Sequence, residues 1–550
     1  MECLRGNSIV LVFALLAAAC SQESTPPPAR SEPQRVEIPE VKDFATDRCD
    51  EVKRLARISR RGLYRDRSPD IIAIASEPNF IGGETTLVHS GPWGYLVDVP
   101  LVFYGPGVVP SVGEVDRRAT LADIAPTIAR LIGFDRYEAP DGSVLGEAVS
   151  DKTPRLIVTI VWDGAGWNVL RRHGTRWPFL ARMMQEGVSF TRATVGSNPS
   201  VTPSIHTTIG TGAFPWSHGI VGLRMRTADG SYVNPLGRSS PDRIEVLSLA
   251  DRYDRARGNR PKIGMFGSVS WHIGMVGKGS SVRGGDKDHV VLLGHDTARL
   301  KTNRDVYGLL KVGNERRLNK MISATDAADG KRDGDWYGRS LGSLKDAWRT
   351  SALVDYTQLM VEKMLVEGGY GDDRVPDLMF ANFKSADLTG HAWSYNSRDV
   401  GRILDSKDAA LRRLARYLDR TVGERRWAIV LTADHGQTPY PRDSGAWPIR
   451  GGELADDIVK RFDGNGDGVR LVDRLGASGV YVNRSQLAAN SVTLSEIARW
   501  IGDYRLRENL KGGEKVPGYY DGSPTDRIFD GVMVGSRLVV PACEQQVPAE

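Results

Sequence analysis

The strongest constraint on the fold of this chain is a set of short apolar runs, each closing on polar or turn-forming residues. They are DVPLVFYGPG (98–107), RLIVTIVWDGAG (155–166), PKIGMFGSVSW (261–271), PDLMFANFKSAD (376–387) and WAIVLTADHG (427–436). β-Rich runs without strict alternation suit strands covered on both faces. Helical patterns lie between them, in WPFLARMMQEGV (177–188), TSALVDYTQLMVEKMLVEG (350–368) and DAALRRLARYLDRTV (408–422). Strands alternating with helices predict an α/β fold: a doubly wound, mostly parallel sheet with helices on both faces. Such sheets gather ligands at the carboxyl ends of their strands, and the candidate ligands of this chain stand there. The Gly- and Arg-rich stretch 222–345 reads as insertions above that edge, and residues 440–525 as a second accessory region. No internal repeat is evident.

The 550 residues can bury a large core, and a net charge of +5 is spread thinly over 73 Lys+Arg and 68 Asp+Glu. No basic block dominates, which argues against nucleic-acid binding.

The N-terminus carries Arg5 and then an apolar run, IVLVFALLAAA, that ends at Cys20. The run is short for a membrane span and suits a signal-peptide core. Small residues Ala17 to Ala19 before a cysteine resemble a bacterial lipoprotein cleavage site; the alternative is a plain secretory signal with Cys20 incidental. The expected organisation is a signal peptide over 1–19, a Pro/Ser/Glu-rich tether over 20–47 with lipid on Cys20, and one catalytic domain over 48–550. The expected place is the cell envelope, with the lipid anchor as the only membrane contact. Cys3 would leave with the signal, and Cys49 and Cys543 would form a disulfide in an oxidising compartment.

Asp163 ends one strong strand, Asp434 and His435 end another, and Asp387 and His391 follow a third as D-x-x-x-H. Carboxylates and imidazoles are the oxygen and nitrogen ligands that zinc takes. A strand-terminal Asp is often only a helix cap and a lone His is often structural, but three such strand ends converge on one edge of a sheet. Thr202 precedes Pro203, a favoured first helical residue, and would be a helix N-cap. A helix N-terminus also offers N–H groups to a phosphate, and a metal-bound hydroxyl is acidified, so Thr202 could be both cap and nucleophile.

Together Asp163, the run TPSIHTTIGTG from Thr202, HGI from His218, Asp387 with His391, and DHG from Asp434 resemble the alkaline phosphatase superfamily. Within it the chain looks most like the type I phosphodiesterase/nucleotide pyrophosphatase group and the threonine-nucleophile alkaline phosphatases. The resemblance extends from about residue 155 to 440. It implies two zinc ions, one held by Asp163, Thr202, Asp434 and His435, the other by Asp387, His391 and a further histidine. In the family that histidine lies near the C-terminal end, before a strand resembling DVPLVFYGPG and a helix containing DIAPT. Here VHSGPWGYLVDVPLVFYGPG and ATLADIAPTIARLIGF precede Asp163, and no histidine follows His435. The implied reading is a circular permutation in which residues 48–150 correspond to the family's C-terminal part and His89 is the missing ligand. The alternative is a surface-loop histidine in an unrelated N-terminal domain.

Departures from the family pattern bear on the substrate. Where an Asn usually contacts the phosphoryl oxygen stands Leu223, followed by Arg224 and Arg226, either of which could bind phosphate or be a surface charge. Where monoesterases often carry a Lys/Arg pair stand Trp271 and His272, which favours diesters unless Arg224 or Lys278 supplies the charge. His272 and Arg224 are the candidate substrate-binding residues. The loop GGDKDH (284–289) is a substrate loop or a plain turn. DGNGDG (463–468) resembles half of a calcium loop through Asp463, Asn465 and Asp467, but Arg474 stands where its glutamate would be, leaving an ordinary acidic turn as the competing reading. The implied activity is an exported two-zinc phosphohydrolase cleaving phosphate mono- or diesters through a phosphothreonine, acting on a small phosphorylated substrate. The rival readings are a non-catalytic phospho-ligand-binding lipoprotein and a phosphotransferase of the same fold.

Overall fold

In a computed structural model, residues 47–82, 88–294, 297–313, 315–476, 478–535 and 537–539 are described. Cys20, Cys543 and the side chain of Cys49 lie outside them, as do the expected signal and the tether up to residue 46. Among the described residues no helix is long and apolar enough to cross a membrane.

Fourteen strands concern us: β1 (Ile71–Ala75), β2 (Leu101–Tyr104), β3 (Gly113–Thr120), β4 (Leu156–Val161), β5 (Val188–Thr194), β6 (Ile263–Gly267), β7 (His289–Leu293), β8 (Leu300–Lys301), β9 (Asp377–Asn382), β10 (Trp427–Thr432), β11 (Val472–Leu475), β12 (Gly479–Val482), β13 (Phe529–Val534) and β14 (Arg537–Val539). Nine form the main sheet in the order β8-β7-β6-β9-β4-β10-β2-β5-β3. Only β2 and β8 run against the rest. The central strands β2, β4, β9 and β10 are buried along their whole length, which explains their unbroken apolar runs.

The helices include α1 (Pro178–Glu186), α2 (Thr202–Thr211), α3 (Leu249–Ala256), α4 (Ser351–Glu367), α5 (Ser385–Trp393) and α6 (Arg398–Leu418). Proline opens α1, and the Thr350 and Ser397 hydroxyls accept backbone N–H bonds at the starts of α4 and α6. All ten residues of α2 are buried.

The direction of β2 departs from expectation. It lies beside β10 but antiparallel to it, with Leu101 opposite Thr432. The amino end of β2 therefore meets the carboxyl ends of the parallel strands, and the loop carrying His89 arrives at the ligand-gathering edge from upstream.

The stretch 222–345, read as insertions apart from the strand in 261–271, supplies β7 and β8 as well as β6 to the main sheet. Residues 440–525 do more than decorate it. Strands β11 and β12 join β1, β13 and β14 in a second, wholly antiparallel sheet of order β11-β12-β1-β13-β14. Its own apolar core includes Ile71, Trp447, Ile458, Val480, Ile501 and Val532. In the DGNGDG turn, both Asp463 oxygens accept N–H bonds, from Leu471 and Asn490, and both Asp467 oxygens do so from Val469 and Gln486. Asn465 Oδ1 accepts the Asp467 N–H. These N–H bonds close the turn, the pattern expected of the acidic-turn reading.

Candidate active site

Three strands end in register: Asn382 of β9 and Thr432 of β10 flank Val161 of β4. The residues just beyond these ends are Asp163, Asp434 with His435, and Lys384 leading into α5, so one edge receives them all. The turn after β4 is fastened when the Gly164 N–H donates to Asp434 Oδ1 at 3.1 Å. On α5, Asp387 and His391 stand one helical turn apart, with His391 Nε2 3.2 Å from Asp387 Oδ1. The loop before β2 brings His89 Nε2 to 3.7 Å from the same oxygen.

Thr202 is the first residue of α2, and Val201 takes the N-cap position expected for Thr202. Pro203 thereby falls at the second helical position, where the missing N–H still costs nothing. The Thr202 side chain remains at the site, with Oγ1 accepting from Lys384 Nζ at 3.1 Å.

Two groups of ligand-type atoms result: His89, Asp387 and His391, and Asp163, Asp434 and His435, each set lying within 4.8 Å. Both Asp163 oxygens accept hydrogen bonds, from Asn382 Nδ2 at 2.8 Å and Lys384 Nζ at 2.7 Å, but several other ligand atoms are left bare. His89 Nδ1 meets Ser200 O at 2.9 Å and His435 Nδ1 meets Gly436 O at 2.8 Å, so each ring donates to a carbonyl and keeps a lone pair on Nε2. His435 Nε2, Asp387 Oδ1 and Asp434 Oδ2 are buried without a hydrogen-bond partner. Buried orphan acceptors of this kind are costly unless a cation completes them. The donor set fits two divalent cations.

Electrostatics follow the same plan. Burial works to raise the Asp387 carboxyl, but Lys384 and His391 override it and hold it well below the usual carboxylate range. Burial likewise opposes ionisation of Asp434, and His435 and His206 override it. Burial and the neighbouring Asp434 raise Asp163. Burial pushes His89 well below its ordinary value, with His435 adding to the effect, which keeps the ring neutral as a ligand must be. The His391 side chain is 38% exposed while those of Asp163, Asp434 and His435 are fully buried, so solvent reaches the site from the His391 side.

The other expected residues take different places. Arg224 is exposed, and its described contact is a backbone carbonyl under Tyr481. Arg226 forms a buried pair with Asp70 at 2.8 Å, next to β1. His272 is fully buried against His206, Nδ1 to Nδ1 at 3.1 Å, and groups with His206 and Asp163 within 4.8 Å. His218 is buried beside Thr208 and accepts the Ile220 N–H, tying down α2. The loop 284–289 precedes β7, so it lies at the amino ends of the parallel strands, away from Thr202; there Asp286 and Asp288 cluster with Asp254. Two residues not singled out from sequence belong to the site: His206, whose Nε2 is 3.3 Å from Asp434 Oδ2, and Lys384. Both had signals, His206 standing one turn after Thr202 and Lys384 three residues before Asp387.

The sequence pattern of the family described as Type I phosphodiesterase / nucleotide pyrophosphatase matches residues 157–534. Alkaline phosphatase PafA of Elizabethkingia meningoseptica is 23% identical over 433 residues, 68% of this chain and 76% of PafA. Alkaline phosphatase PhoV of Synechococcus elongatus is 22% identical over 334 residues, 52% of this chain and 60% of PhoV. A crystal structure of wild-type PafA matches with a TM-score of 0.48 and 17% identity, over 64% of this chain and 76% of that one. With the family pattern spanning more than half of its length, the chain belongs to the type I phosphodiesterase/nucleotide pyrophosphatase family of the alkaline phosphatase superfamily.

Proposed function

We propose that this protein is a two-zinc phosphohydrolase that cleaves phosphate esters through a phosphothreonine on Thr202. The observation that carries this reading is the set of buried, partnerless acceptor atoms on Asp387, Asp434 and His435 beside the Thr202 hydroxyl. Asp163, Thr202, Asp434 and His435 would hold one ion, and Asp387, His391 and His89 the other. Bound zinc would supply Lewis acidity and positive charge for the phosphoryl oxygens.

The chain's own residues do the rest. Thr202 Oγ1 attacks phosphorus in line, and the P–O bond to threonine forms as the bond to the leaving oxygen breaks. The threonine proton passes to water, and the departing oxygen takes a proton from solvent. Water then adds to the phosphothreonine, phosphate leaves, and Oγ1 recovers a proton. Start-of-helix placement gives the phosphoryl group the positive end of α2, and the carbonyls of Ser200 and Gly436 hold the two histidine rings in one tautomer.

We read the order of the chain as a circular permutation, in which residues 48–150 would stand where relatives carry their C-terminal part. The sequence of the first 47 residues supports an exported protein held to the membrane through Cys20. The reading is tested by loading the protein with zinc and offering a panel of aryl phosphate mono- and diesters, with a competing alcohol present. Release of inorganic phosphate or of the corresponding monoester is expected. Zinc binding without turnover would leave a binding protein, and transfer to the alcohol in preference to water would make it a phosphotransferase.

A further inference from the structure

The following rests on the phosphohydrolase reading. Lys384 belongs to neither ligand set, yet its ammonium lies between them. Nζ donates to Asp163 Oδ1 at 2.7 Å and to Thr202 Oγ1 at 3.1 Å, and lies 2.9 Å from Asp387 Oδ2. An ammonium has three donors and no acceptor, so these three oxygens fix its orientation. The residue is 5% exposed. Asp387 divides its oxygens, Oδ2 to the lysine and Oδ1 to the side of His89 and His391. Lysine and metal therefore use different oxygens of that carboxylate.

Charge shows what this cation is for. Asp163, Asp387 and Asp434 carry three negative charges when ionised, and the histidines serve as neutral ligands. Two divalent ions leave the site with one positive charge, which balances a diester monoanion. Lys384 leaves it with two, which balances the dianion of a monoester. The ammonium also touches the attacking oxygen, so it stands beside the non-bridging oxygens of any phosphorus bonded there.

We propose that Lys384 is a third, protein-borne cation of the site, donating to the Thr202 oxygen and setting its positive charge beside the non-bridging phosphoryl oxygens, and that it favours monoester dianions over diesters. This is opposite to the preference that Trp271 and His272 suggest. The charge absent from the loop after β6 is delivered from the end of β9.

The test compares wild type with Lys384→Met and Lys384→Gln, each saturated with zinc and assayed for zinc content. One readout is kcat/KM for an aryl phosphate and for its methyl ester; the other is calorimetric binding of inorganic phosphate, which needs no turnover. Losing a hydrogen bond from a charged donor predicts a fall of about a hundredfold on the monoester and at most about tenfold on the diester. Phosphate should bind at least about tenfold more weakly, with zinc content unchanged. Equal losses on both esters with unaltered phosphate binding would overturn the assignment. So would loss of zinc from both variants, which would make Lys384 a support for the ligands alone. A zinc-loaded wild type that cleaves neither ester would defeat the phosphohydrolase reading instead, and the phosphate-binding comparison would still judge Lys384.

Discussion

The imidazoles of His89 and His435 lie stacked, ring centres 3.5 Å apart and planes within 7° of parallel. One ring comes from the loop before β2 and the other from the loop after β10. They meet because β2 runs against β10, and each then turns Nε2 toward Asp387 Oδ1, at 3.7 and 3.8 Å.

His89→Ala should remove one ion and spare the other. Zinc measured on the purified variant is expected to fall from about two per chain to about one, with activity lost and the fold kept. Retention of the wild-type zinc content would exclude His89 as a ligand.

Thr202→Ala should leave fold and zinc content intact while turnover drops by at least about a thousandfold, as removal of a nucleophile does elsewhere. A rate near that of wild type in the zinc-loaded variant would take the nucleophile's role from Thr202.

Gly436 marks where the early segment docks on the site. A Cβ there would sit 2.0 Å from the Tyr95 carbonyl oxygen and 2.6 Å from Asn168 Oδ1, and the Gly436 N–H already donates to Leu96 O at 2.9 Å. Gly436→Ala should cost about 1–3 kcal/mol through overpacking and reduce zinc content, because it pushes away the segment that follows His89. Thermal melting and metal analysis matching wild type would contradict this.

Lys407 on α6 is fully buried, and its Nζ has no hydrogen-bond partner and lies 5.7 Å over the Trp162 ring. Burial brings its pKa down from 10.5 to about 7. Between those values the unfolded chain keeps a proton that the folded chain has released, so stability rises with pH across that window, and on acidification the loss begins below 10.5 and is complete near 7. Lys407→Met should remove this slope and stabilise the protein at pH 7 by about 1–4 kcal/mol. Parallel melting curves for wild type and variant from pH 7 to pH 10 would refute it.

The site was more legible than the frame around it. Acidic and imidazole side chains at the ends of apolar runs can be read locally, because a buried strand announces itself by composition and its end by a charge. The direction of β2 cannot be read that way, since LVFY has the same apolar pattern whichever way it runs. Strand β6 is a short run with two glycines, IGMFG, inside a Gly- and Arg-rich region, so its neighbours pass for loops. The second sheet was hidden because Ile71–Ala75 pairs with Phe529–Val534, and nothing local couples segments so far apart. Lys384 lay in plain view within FKSAD, but the target of a charged side chain is a tertiary fact. The same holds for His272 and Arg224, one buried against another histidine and the other turned to solvent.

The pairing of β1 sets the order in which the protein can be completed. Ile71–Ala75 lies between Gly479–Val482 and Phe529–Val534, so an apolar strand made early stays without partners until nearly the whole chain has been synthesised. Contacts of such long sequence separation slow folding and expose strand edges meanwhile. The loop of His89 waits likewise, since Leu101–Tyr104 docks on Trp427–Thr432. A ribosome-bound chain stopped short of residue 427 would hold Thr202, Asp163 and Asp387 and still lack Asp434, His435 and the strand on which the His89 segment docks.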